Sequence, residues 1–371
     1  MSKVIGICNL HDDPRLGLLT DHRPCGAVPF LGRYTLIDFT LSNFSNSHIN
    51  DVYVLIKDGI LPIQRHIGSG AIWTNNTKRG HINLLVNESG LFSPKFNTDL
   101  ANLRHNLSLD ETDFDYAVIA PSFMLGCIDY RPIIKAHEES EADVTVVYSH
   151  FENADEEFIN CDKLKIGASG KILKSETNIG KNDEADISIE SFVVSKKFLK
   201  KMMNDSTKVS SLYTIRQMIA YYVEQDVGVI KGYKYEGFVL PMLDFEHYVK
   251  HSLNLLNYRV RSKLFSNEWP IYTTSHNTPP SLYGKSAEVK NSFIANGSVI
   301  KGKVENCIIS RDVVIEKGAV VTNCIILPKS VVGKDVHADY VVIDTNAVVS
   351  TVKEVEGTED KPLFIVQGAK I

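Results

Sequence analysis

The side chains that could bind metals or act as nucleophiles are scattered along the chain. Zinc chemistry needs cysteines or histidines a few residues apart. Cys8, Cys25, Cys127, Cys161, Cys307 and Cys324 form no Cys-x-x-Cys pair, and His48, His66, His81 and His105 offer no matching spacing. Reduced thiols in a cytosol fit this pattern. Asp110, Glu111, Asp113 and Asp115 form an acidic run whose default role is a solvated loop. A net charge of -5 with interspersed signs supplies no basic stripe for a nucleic-acid backbone, so any anions it holds are small and bound locally.

Those residues need elements to position them. At 371 residues the chain exceeds one ordinary core, which points to two domains. Hydrophobic content of 43% and charged content of 23% exclude long-range disorder. Apolar runs at 3–8, 51–56, 116–120 and 143–148 suit buried strands of a mostly parallel sheet. Ile37, Leu41 and Phe44 recur at helical spacing, and so do Leu212, Ile215, Ile219 and Tyr222, which predict a helix over 211–225 capped by Ser210 or Ser211. The stretch 227–240 reads as a strand pair punctuated by Gly232 and Gly237. The apolar start is too short for a secretory segment, and 116–128 is too short and too interrupted to span a membrane. A soluble cytoplasmic protein is expected.

From 257 to 284 the periodic signal fades, and Pro270, Pro279 and Pro280 mark a linker. Beyond it Ile308, Val314, Val320, Ile326 and Val332 recur every six residues, with Ile309, Ile315, Val321 and Leu327 in step. Ile294 and Ile300 begin the series, and the eight residues from Ile300 to Ile308 imply a two-residue insertion. A six-residue step fits a parallel β-helix of hexapeptide repeats, its aliphatics stacked inward and its corners made by Gly297-Ser298, Gly318-Ala319 and Ser330. The expected domains are an α/β domain over 1–256, a linker over 257–284 and a β-helix over 285–371.

This order of domains resembles the ADP-glucose pyrophosphorylase (glucose-1-phosphate adenylyltransferase) family. The resemblance is carried by the segments 15–20, Ala27-Val28-Pro29-Phe30-Leu31-Gly32-Arg33-Tyr34 and Ile37-Asp38-Phe39-Thr40-Leu41-Ser42-Asn43, and by Arg65-His66-Ile67 and Ile128-Asp129-Tyr130. It implies a Rossmann-like nucleotide-sugar transferase domain of α/β class with a mostly parallel sheet, followed by a left-handed parallel β-helix. Arg104-His105 and the other histidines read as surface or satisfied core residues, and Asp38 as a helix-start hydrogen-bonding group.

The same resemblance exposes losses. The family's Gly-Gly-x-Gly-Thr-Arg-Leu loop brings backbone N–H groups onto nucleotide phosphates, but here it reads Leu10-His11-Asp12-Asp13-Pro14-Arg15-Leu16. Leu10, His11 and Asp13 replace its glycines, and only Arg15 remains as a phosphate ligand. The next basic residue of the family falls on Cys25. Its two metal-binding aspartates fall on Phe123, or Ser122 if the register slips, and on Pro241, while its sugar-phosphate lysine falls on Thr177. Mg²⁺ demands oxygen ligands, so the resemblance implies no catalytic residue, metal or cofactor in this chain and Mg²⁺ only in a catalytic partner.

The expected role is therefore a noncatalytic regulatory subunit, assembled with an active subunit in a mixed tetramer, with Arg15, Arg23 and Arg33 left to bind phosphate or an effector. Two rivals stand beside it. One is an active nucleotidyltransferase using Asp12 or Asp13 as altered metal ligands, and the other is a stand-alone homo-oligomer that senses nucleotide sugars.

Overall fold

Strand Val4–Asn9 lies between Asp51–Ile56 and Tyr116–Pro121, parallel to both, because its apolar residues are buried on both faces by helices. The computed structural model describes residues 2–74, 80–87 and 96–371. His81–Val86 adds a parallel edge, and Ala185–Ser195 runs antiparallel between Tyr116–Pro121 and Val144–Phe151. The resulting nine-stranded sheet is mostly parallel, with only Ala185–Ser195 and Ile172–Thr177 running against the rest.

The expected strands and the helix Ile37–Asn46 are present. The next predicted helix starts later, at Ile215, because Thr214 and Gln217 form a reciprocal capping box that neither Ser210 nor Ser211 could complete. Leu212 consequently lies outside the helix, exposed. The two strands read over 227–240 exist but do not pair with each other. Ile230–Lys234 joins Val144–Phe151, and Val239–Pro241 joins Met124–Gly126.

Contacts divide the chain into two compact units along lines other than the expected ones. Met1–Asp13, Ile37–Pro241 and Asn267–Tyr272 form the first, and Pro14–Leu36, Met242–Ser266 and Thr273–Ile371 the second. The stretch expected as linker contains the helix Tyr258–Leu264, capped by Asn257.

In the second unit three five-stranded parallel sheets form the faces of a left-handed β-helix. Its interior holds Ile309, Ile315 and Val321, then Ile326, Val332 and Ala338, then Ile343 and Val349. The step is six within each coil and five between coils, since Ile309 is in register with Ile326 and Ile326 with Ile343. This corrects the expected register. Val314 and Val320 are half-exposed, and the inward positions are Ile315 and Val321. A six-residue period cannot distinguish a residue from its neighbour when both are aliphatic. The expected insertion is also absent: the coil is shorter there, Ile300 pairing with Ile315, and Val304 takes the inward place.

The corners turn at left-handed residues. Gly297 and Gly318 both have φ +82, and a Cβ on Gly318 would sit 1.9 Å from Asp335 Oδ1. Asn291, Asn306 and Asn323 also adopt positive φ, which Asn tolerates best among non-glycine residues. Their amides form a ladder up one edge, Asn291 donating to Asn306 at 2.8 Å and Asn306 to Asn323 at 3.3 Å.

Candidate functional site

In open α/β sheets ligands bind beyond the carboxyl ends of the strands, where the strand order reverses. Here that point lies after Asn9, between the loops following Val4–Asn9 and Tyr116–Pro121. The chain's own side chains occupy it. His11 is buried, its Nδ1 3.3 Å from the Asn97 carbonyl and its Nε2 2.9 Å from the Asn102 amide nitrogen. With Nε2 accepting that N–H the ring is neutral, and burial accordingly lowers its pKa to about 4.

Asn9 donates to Asp99 at 2.8 Å, and Asp99 also accepts from the backbone N–H groups of Leu100 and Ile215. Burial, with Asp12 nearby, raises the Asp99 pKa to about 8 despite these donors. Ser122 donates to Asp13 at 2.6 Å, closing one loop onto the other. Leu10 is buried and continues the sheet through its N–H bond to Leu55.

Met124–Gly126 and Val239–Pro241 pair antiparallel, so Pro241 stands opposite Met124 and next in sequence to it is Phe123. The fold thus brings together the two positions where the resemblance puts metal-binding aspartates. Phe123 is buried and apolar, and proline has no side-chain oxygen. The nearby oxygens on Ser122 and Asp13 bond to one another.

Thr177 ends the edge strand Ile172–Thr177 and lines a cavity of about 430 Å³ with Asp12, Asp162, Thr214 and Arg216. Burial raises the Asp12 pKa, partly offset by Thr214 and Arg216. Behind this cavity Glu190 sits at φ +56, a left-handed conformation costly for glutamate, with a carboxylate oxygen 3.1 Å from Arg216. Burial raises its pKa to about 8, and the Arg216 charge opposes that rise.

Of the remaining residues singled out from the sequence, Arg15, Arg23, Cys25 and Arg33 lie in the second unit and Asp38 in the first. Arg15 is exposed and Cys25 is buried. Arg23 turns inward, its Nη2 2.7 and 2.8 Å from the two carboxylate oxygens of Asp344 and 3.3 Å from Gln367. This commitment to a buried partner takes it out of the expected effector-binding set. Arg33 is exposed and lines a groove of about 370 Å³ with His276, Asn296 and Arg311, whose Nη1 donates to the Arg33 carbonyl at 3.2 Å. Asp38 is fully buried in the first turn of its helix and bonds to His66.

Residues 14–158 match a nucleotidyl transferase family model, and residues 280–368 match the C-terminal hexapeptide region of GlmU-like proteins. Over 94% of its length the chain is 29% identical to the glycogen biosynthesis protein GlgD of Bacillus subtilis, covering 91% of that protein. It is 28% identical to a glucose-1-phosphate adenylyltransferase of Clostridium perfringens over 85% of this chain and 82% of that one. A further adenylyltransferase, from Bacillus thuringiensis, is 26% identical over 95% of both chains. Over most of its length the chain is similar to glucose-1-phosphate adenylyltransferases and to GlgD. Its relatives are named for glycogen biosynthesis and for the adenylyl transfer step, and its two matched regions correspond to the sheet and the β-helix. Among the described residues no helix is long and apolar enough to cross a membrane.

Sequence reasoning missed His11's bonding partners, Asp99, Glu190 and Arg216. Each depends on contacts between residues far apart in sequence. The one local signal was Thr98, which caps the helix Asp99–Asn106.

Proposed function

We propose that this chain is a catalytically impaired, regulatory subunit of a glucose-1-phosphate adenylyltransferase in bacterial glycogen synthesis, acting in the cytoplasm within a mixed tetramer. The observation that carries this reading is the crevice at the ends of the central strands. His11, Asp13 and Asp99 fill it with hydrogen bonds to the chain's own groups, and Pro241 pairs with Met124, the neighbour of Phe123, so that the two positions where the resemblance puts metal-binding aspartates lie close together. Adenylyl transfer relies on Mg²⁺ to neutralise charge on the transferred and departing phosphates. Loss of that cation costs several kcal/mol of transition-state stabilisation, roughly a thousandfold or more in rate.

An active enzyme with altered ligands would need Asp12 or Asp13 at the metal. Asp13 accepts a hydrogen bond from Ser122, and Asp12 lies in the cavity with Thr214 and Arg216, which favours the impaired reading. Regulation requires only that the chain pack better against one conformation of its partner. The Arg33, His276 and Arg311 groove has the charge to take an anionic effector.

The test is co-purification with a catalytic adenylyltransferase from the same cell, followed by saturation curves with and without this chain. A coupling of about 1–3 kcal/mol would shift apparent affinity by roughly 5- to 150-fold. Failure to co-elute, or superimposed curves at every ratio, would refute the proposal.

A further inference from the structure

The helix Ile215–Glu224 buries Ile215, Met218, Ile219 and Tyr222, which leaves Gln217, Ala220, Tyr221 and Glu224 on its opposite face. That face and the edge strand Ile172–Thr177 are the walls of a groove. Two cavities, of about 510 and 430 Å³, share Ser175, Gln217 and Ala220 and so adjoin along the groove. Ala220, the smallest side chain on this helix face, forms its floor.

The two ends differ in chemistry. At one end Tyr213 and Tyr221 line the wall, their rings edge to face at 6.4 Å. At the other are Asp12, Asp162, Thr177 and Thr214. The two cations that line the groove, Lys174 and Arg216, are both paired. Arg216 donates to both Asp162 oxygens at 2.8 Å and to the Asn160 carbonyl at 2.7 Å, with Glu190 on its remaining nitrogen. Lys163 and Lys174 pair with Glu176.

Lys57 acts on Asp12 from outside the lining, but a phosphate ester entering here would face Asp12 and Asp162 with both lining cations already paired. An uncharged polyol suits the groove better. Carboxylate, hydroxyl and amide groups bond vicinal hydroxyls, and tyrosine rings cover the apolar faces of sugar rings. Each cavity alone exceeds the ~300 Å³ lower bound for small-ligand pockets, so the groove accommodates more than one ring.

We propose that this groove binds a linear, uncharged oligosaccharide along the helix Ile215–Glu224. The groove shares Asp12 and Thr177 with the candidate site but needs no partner subunit, so binding by the chain alone tests it separately from the regulatory role.

The experiment is saturation-transfer NMR on the full chain alone, with maltotetraose and cellotetraose as probes and glucose, glucose 1-phosphate and orthophosphate as competitors. At least one tetrasaccharide should receive saturation, with glucose binding about tenfold or more weakly and neither phosphate competing. Ala220→Leu, which fills the floor, and Tyr221→Ala, which removes a ring, should each weaken binding by about tenfold or more. Thermal unfolding identifies which variant keeps its fold, and Ala220→Leu adds only apolar volume at a half-exposed position. The proposal is overturned by absence of transfer to both tetrasaccharides, by displacement with glucose 1-phosphate, by glucose binding as tightly as either tetramer, or by wild-type affinity in the folded variants.

Discussion

Arg23→Met separates a structural arginine from an effector ligand. In the native chain the Arg23 guanidinium and the Asp344 carboxylate have side-chain exposures of 8% and 2%, and they meet at 2.7 Å. Removing the arginine leaves Asp344 buried with, among the described residues, only Thr345 N–H at 2.6 Å in direct support. Breaking a buried pair from one side costs about 3–5 kcal/mol, mostly the penalty of the stranded charge. Removing both partners with apolar residues of similar volume is often neutral. Urea unfolding should therefore show Arg23→Met and Asp344→Leu each destabilised by about 3 kcal/mol or more, and the double variant close to wild type. A loss below about 1 kcal/mol in Arg23→Met, or simple addition in the double variant, would refute the buried-pair reading.

Two further outcomes follow from packing and titration. Val321→Asp should destabilise the β-helix by several kcal/mol by placing an unpaired charge in its stack, whereas Val320→Asp, between Lys303 and His337 on neighbouring coils, should cost less than about 1 kcal/mol; comparable unfolding midpoints would overturn the register. His11 has its pKa lowered to about 4 in the folded chain, so the unfolded chain binds the extra proton first and stability falls as pH drops from about 6.5 toward 4. His11→Gln should remove about 2 kcal/mol of the stability difference between pH 7 and pH 5, measured by denaturant titration, and an unchanged difference would place the acid sensitivity elsewhere.

Much of the fold was legible because local pattern and tertiary fate coincide in it. The apolar runs at Val4–Asn9 and Tyr116–Pro121 are buried on both faces, and a six-residue repeat has few architectures open to it. The errors arose where two residues compete for one role. Val320 and Val321 share the same period, and only stacking through register with Ala338 selects Val321. Thr214 displaced Ser210 and Ser211 as the helix cap because Gln217 completes its box. Thr177, Phe123 and Pro241 were identified from the family pattern, and the antiparallel pairing that juxtaposes the last two is a tertiary fact. Glu190 and Arg216 carried no local mark, since their partners Asp12 and Asp162 lie elsewhere in the chain.

The central claim is that this chain keeps the transferase framework without the chemistry. The most direct measurement is ADP-glucose formation from ATP, Mg²⁺ and glucose 1-phosphate by the purified chain alone. Trace turnover at every metal and substrate concentration is the predicted result, because Phe123 and Pro241 supply no side-chain oxygen and Asp13 is bonded to Ser122. Turnover near the ordinary enzyme value, about 10 per second, would contradict it.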